Sequence, residues 1–137
     1  MKPEKVDLVI DAKNATLGRL ASYSAKRALM GKTIAIVNCN EALVVGKPKM
    51  IINEYKETRQ RGGASLHGPF FPKSPERIVK RTIRGMLSYK QARGKEAFRR
   101  IKCYNEIPDE YKDAKRLAAG KEKSGKTIKL ANLSKEI

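Results

Sequence analysis

The sequence predicts an α/β domain built on a parallel sheet, and three observations carry that prediction. Two short, nearly continuous apolar runs, Asp7-Leu-Val-Ile-Asp11 and Thr33-Ile-Ala-Ile-Val-Asn38, have the composition of buried strands. Between them, Leu17 to Met30 places Leu17, Leu20, Ala21, Ser24, Ala25 and Ala28 on one helical face. Strand, helix and strand at this spacing form a right-handed crossover between parallel neighbours. The length, 137 residues of which 40% are hydrophobic, suits one modest core. No internal repeat or second domain is visible, so residues 1–137 read as one domain.

In order, Lys13-Asn-Ala-Thr16 makes a turn before the first helix, which ends at Gly31. Asn40-Glu41 connects to Ala42-Leu-Val-Val45, read as a third strand of the sheet. Gly46-Lys-Pro breaks the chain, and Lys49 to Thr58 reads as a helix. Residues 59–73 turn to glycine, proline and polar types, the composition of a long basic loop that binds something or is disordered. Pro75 to Leu87 is predicted as an amphipathic helix. Ser74 suits its N-cap, Pro75 its first position, and Glu76 the positive end of its dipole. Tyr89 to Gly94 reads as a basic connection, Lys95 to Arg100 as a short helix, and Ile101 to Tyr104 as a fourth strand. Pro108 to Ala119 has a helical pattern. Residues 120–137 read as a C-terminal tail with a loop and a short strand or helix.

Charge points to function. The chain holds 31 basic and 14 acidic residues, a formal net charge of +17. Small soluble domains usually carry a net charge of roughly 2–8 in magnitude. Self-repulsion at this level opposes compaction unless a polyanion neutralises it. Residues 73–102 contribute eleven bases against Glu76 and Glu96, so +9 of the +17 lies there. Within the Pro75–Leu87 helix the residues Ile78, Val79, Thr82, Ile83, Met86 and Leu87 form an apolar stripe. Arg77, Lys80, Arg81 and Arg84 form a basic stripe on the opposite side. Arg59, Arg61 and Lys73 flank it on one side; Lys90, Arg93, Lys95, Arg99 and Arg100 follow on the other. A basic run is ordinarily a solvated face, but here the acids that would neutralise such a face are missing. Arginine also suits bidentate phosphate contacts. These twelve cations select nucleic acid, with His67 of the loop able to stack on an exposed base. No basic-zipper heptad, zinc-finger spacing or RNP aromatic motif is present. Backbone and shape recognition of folded RNA fits best.

Other chemistries are excluded on their residues. Gly120-Lys-Glu-Lys-Ser-Gly-Lys126-Thr127 has the spacing of a P-loop, but what precedes it reads as a helix rather than a buried strand. Only ten residues follow Thr127, too few to supply a later metal-binding acid. The first strand–helix turn holds the single glycine Gly18 where a dinucleotide fingerprint needs three. One histidine and scattered carboxylates supply no acid–base machinery, so no catalysis, cofactor or metal is expected. Cys39 and Cys103 sit in apolar runs without metal or disulfide spacing, the usage of reduced thiols in a reducing compartment. No apolar run approaches the ~20 residues of a membrane span, and the N-terminus lacks a signal-peptide core, so a soluble intracellular protein with no membrane partner is expected.

Val9-Ile-Asp-Ala12 followed by Leu17-Gly-Arg-Leu-Ala21, and Arg77 to Tyr104 with Arg84-Gly-Met-Leu87 at its centre and Arg93-Gly94 after it, resemble a known family. It is the large-subunit ribosomal protein L-thirteen family, in its archaeal and eukaryotic branch, to which the loop and the Ile107-Pro108 step also point. The resemblance implies a three-layer α/β/α fold with a four-stranded parallel sheet. It implies a structural constituent of the cytoplasmic ribosome that binds large-subunit ribosomal RNA and supports assembly and translation beside neighbouring large-subunit proteins. The alternative in the same chemistry is an extra-ribosomal repressor with messenger RNA as its partner. Ser88 departs from the family, which usually has proline there.

Overall fold

The computed structural model describes residues 6–60, 74–88, 90–111, 116–118 and 127–136. β1 (Leu8–Asp11) leads through α1 (Leu17–Leu29) to β2 (Ile34–Val37), and the two strands pair in parallel with Leu8 opposite Ile34. The crossover unit is therefore as the apolar runs predict. β4 (Ile101–Cys103) adds in parallel to the far side of β2. Glycine punctuates where predicted: Gly31 adopts φ +95, and the amides of Gly31 and Lys32 bond the carbonyls of Ala28 and Arg27 to close α1.

Three of the four expected strands thus build the parallel sheet, and the fourth does not. Leu43–Val45 is a strand, β3, but it pairs antiparallel with β6 (Thr127–Lys129) in a separate two-stranded sheet. The short turn Cys39–Glu41 follows β2 directly and leaves no room for a crossover, so the chain cannot return to the same sheet in parallel. The outer position beside β1 is filled instead by β5 (Arg116–Ala118), giving the order β4-β2-β1-β5 with parallel pairing throughout. The helical reading of Pro108 to Ala119 is corrected with it. That segment holds a single 3-10 turn, Asp109–Tyr111, and then β5. Pairing along the open edge of β1 outweighs a weak helical pattern.

Two helices are longer than predicted. α2 spans Pro48–Gln60 and takes in Arg59, and α4 spans Ala92–Arg99 and takes in Arg93 and Gly94. α3 spans Pro75–Met86, with Leu87 as an extended C-cap. The tail supplies β6 and α5 (Leu130–Glu136), so it is both strand and helix, and Ile128, Leu130 and Leu133 are buried.

The strands alternate between two cores. Ile10, Ile34 and Ile36 face the helices and meet Leu20, Ile78, Ile83, Ala97 and Leu133. Val9, Ala35 and Val37 face the other way, where Tyr111, Tyr104, Ile107 and Val6 cover them. Among the described residues that second face is covered by the 3-10 turn and its flanks, not by the helical layer a three-layer sandwich implies. Cys39 and Cys103 are free. The fold brings these sequence-distant residues together. A hydrogen bond with Cys103, followed by burial, pushes the Cys39 thiol well above its ordinary pKa, so it is an inert core group.

Candidate nucleic-acid interface

The basic stretch folds as two helices joined by a short turn. α3 buries Ile78, Val79 and Ile83 against α1 and the sheet, and Leu87 follows them inward. Thr82 is half-buried and donates its hydroxyl to the Ile78 carbonyl at 2.9 Å. Met86, expected in the apolar stripe, is 46% exposed. The helix ends there, and the extended backbone at Leu87 turns that side chain in and leaves Met86 out. Ser74 sits at the N-cap with extended backbone but makes no side-chain cap. Its task falls to Asn105, whose Oδ1 accepts the Glu76 amide at 3.1 Å.

The thirteen predicted cations and ring donors divide by position. Arg77 is exposed on α3; Lys90 is exposed in the connection; Arg93, Lys95 and Arg99 are exposed on α4. None of these five side chains has a hydrogen bond or ion pair with the described residues. Arg81 and Arg84 are half-buried and are engaged inside the molecule. Arg59 lies on α2, not in a loop. Arg61, His67 and Lys73 lie outside the described residues, as does most of the long loop.

Lys80 and Arg100 are turned to structural work. Lys80 donates its ammonium to the carbonyls of Ile101 and, at 3.4 Å, Phe98, and it lies 4.6 Å from the centre of the Phe98 ring. Burial pulls its pKa below the ordinary lysine value, and repulsion from Lys102 acts in the same direction. It pins α3 to the junction of α4 and β4, so the two basic helices are carried on adjoining elements. Arg100 donates to the Ala28 carbonyl at 3.0 Å in the last turn of α1, and its other nitrogen lies 3.8 Å from Glu96. A cation at that end of α1 also complements the helix dipole.

Gly94 sets how closely these pieces pack. It is buried, and a β-carbon there would overlap the backbone carbonyl of Ser88. Only glycine lets α4 fold back on the end of α3. Gly85 is different, because a β-carbon there would meet nothing. Thr127 opens strand β6, whereas the Ser or Thr of a P-loop opens a helix. No group of His, Cys, Asp and Glu among the described residues could hold a metal ion. No helix among them is long and apolar enough to cross a membrane.

Arg19 is exposed in the first turn of α1 and lies outside the residues singled out by charge density. It stands alone in sequence, so only its place at a helix start marks it.

The family model for ribosomal protein L13 matches residues 5–110, which include α1 to α4 and the first four strands. The chain is 53% identical over 106 residues to the large ribosomal subunit protein uL13 of Methanosarcina barkeri, covering 77% of this chain and 75% of that one. It is 49% identical over 106 residues to the protein of the same name from Methanococcoides burtonii, covering 77% and 76%. Against that of Methanocaldococcus jannaschii it is 42% identical over 132 residues, covering 94% and 96%. With a matching family model over most of its length and relatives aligned over three quarters or more of both chains, this chain belongs to the ribosomal protein L13 family.

Proposed function

We propose that this protein is a structural constituent of the large subunit of the cytoplasmic ribosome, where it binds ribosomal RNA and supports assembly of the subunit. The observation that carries the reading is the α3–α4 surface. The side chains of Arg77, Lys90, Arg93, Lys95 and Arg99 are exposed there without partners among the described residues, and Glu96 is the one exposed acid between Ser74 and Lys102. A buried apolar stripe fixes the helices, so these cations are presented from a rigid base. Phosphates supply the missing counter-charge, and arginine takes them two oxygens at a time. Arg81 and Arg84, Arg59 of α2, and Arg61, His67 and Lys73 of the sequence between α2 and α3 are assigned to RNA contact by their chemistry alone. The role is one of binding and fold support for the RNA, with no reaction to catalyse. Neighbouring large-subunit proteins are its further partners. The names of the relatives support this assignment, and none of them favours a messenger-RNA repressor.

The test is a charge reversal that leaves the core alone. Arg77→Glu with Arg99→Glu should leave the circular-dichroism spectrum unchanged. The same variant should lose co-sedimentation with the large subunit in cell extract. Full retention on the subunit would overturn the reading of the α3–α4 surface as an RNA clamp.

A further inference from the structure

We propose that Cys39 and Cys103 form an oxidation site, at which hydrogen peroxide converts the two thiols into a disulfide that staples the end of β2 to β4. The inference is independent of the RNA-binding reading.

Backbone pairing brings these sequence-distant residues together. Cys103 ends β4 opposite Ile36 of β2. Beyond β2, Asn38 takes a left-handed φ of 58 and turns the chain, so Cys39 comes back towards that register. The Tyr104 amide donates to the Ile36 carbonyl at 2.8 Å, and the Cys39 amide donates to the Tyr104 carbonyl at 3.0 Å. Those two bonds fix the backbones beside the pair. Neighbouring strands lie about 4.7–4.9 Å apart, and a disulfide joins Cα atoms roughly 4.4–6.8 Å apart. Both side chains pack on the helix-facing side of the sheet. The Cys39 sulfur lies 3.7 Å from the Ile36 carbonyl oxygen and is hydrogen-bonded to Cys103. Closing the bond therefore asks for side-chain rotation, with the strands in place.

The two thiols differ in access. Cys39 is fully buried, whereas Cys103 is half-buried and lines an open groove of about 560 Å³ with Glu76, Tyr104 and Asn105. Cys103 is thus the sulfur that meets the oxidant. It attacks one peroxide oxygen, the O–O bond breaks, and the thiol proton leaves with the departing oxygen as water. The Cys39 sulfur then displaces the hydroxyl of the resulting sulfenic acid, which carries off the Cys39 proton as a second water. Two electrons pass from the sulfurs to the peroxide. Cys39 is inert alone and reacts only once its neighbour carries a leaving group. The closed loop contains α3 and α4, so oxidation fastens the elements that bear the exposed cations to the sheet. It also spares Cys103 from irreversible oxidation.

Adding hydrogen peroxide to the reduced full chain tests this. Both free thiols should disappear, the mass should fall by two hydrogens, and a digest without reductant should yield a peptide linked through Cys39 and Cys103. Dithiothreitol should reverse all three. The oxidised chain should unfold about 10 °C above the reduced one. Cys39→Ala should instead accumulate oxygen on Cys103, and Cys103→Ala should leave Cys39 unoxidised. If either variant fails to fold, the measurements on the parent decide alone. Free thiols throughout, or oxygen gained at Cys103 of the parent without a crosslink, overturn the proposal. So does a link between two chains, or one that forms only in urea, where the fold no longer holds the pair.

Discussion

Single residues in the basic stretch do unlike work despite like chemistry. Lys80 and Arg77 are three apart in sequence, and only the Arg77 side chain faces solvent with no partner among the described residues. Lys80 is held by two carbonyls and an aromatic face, which no count of charges discloses. Gly94 belongs to the same scale. Because a β-carbon would strike the Ser88 backbone, which cannot rotate away, Gly94→Ala should destabilise the protein by roughly 1–3 kcal/mol. Urea unfolding reads the change, and an unchanged midpoint would show that the two segments separate freely. Ser88, at the position where the family usually has proline, is thus the backbone that Gly94 rests against.

At the scale of elements, α3 shows how much a local pattern predicts. Its start at Pro75, its buried residues Ile78, Val79 and Ile83 and its basic side follow from helical spacing alone. Its capping does not. Ser74 has the right chemistry and the right backbone, but it is Asn105, 29 residues beyond Glu76, whose Oδ1 accepts the Glu76 amide. Asn105→Ala should therefore lower stability by about 1 kcal/mol, within the range of helix-cap substitutions. Thermal unfolding of that variant beside Ser74→Ala separates the two residues: only the first should melt lower. β3 and β5 teach the converse. Leu43–Val45 has the apolar composition of a parallel-sheet strand, and Arg116–Ala118 sits in a helix-like context, yet their places are decided by which edge lies open. β1 offers its edge to β5, and the tight turn after β2 sends β3 away to pair with β6.

For the molecule as a whole, the net charge of +17 sets the energetics of binding. Five exposed cations whose side chains have no partner among the described residues sit on α3, α4 and their connection. Counterion release of about 0.7–0.9 per phosphate then gives a slope near −4 for log affinity against log salt from this surface alone. Measuring RNA affinity across salt concentrations checks it, and a slope shallower than about −2 would mean that fewer than three phosphates are met. The folded chain carries this charge because two cores hold it: the helix-facing one around Ile10, Ile36 and Ile83, and the opposite one around Val37 and Tyr111.

The sequence by itself determined the α/β class, the β1-α1-β2 crossover, the buried stripe of α3 and the basic character of residues 73–102. Each is a local matter of side-chain period, turn chemistry or charge density, and neighbours in the chain suffice to encode it. Tertiary structure alone decided that Lys80 and Arg100 turn inward, that Asn105 caps α3, and that β5 rather than β3 completes the sheet. Those outcomes depend on groups far apart in sequence competing for the same carbonyl, the same open edge or the same space, and no local pattern records who wins.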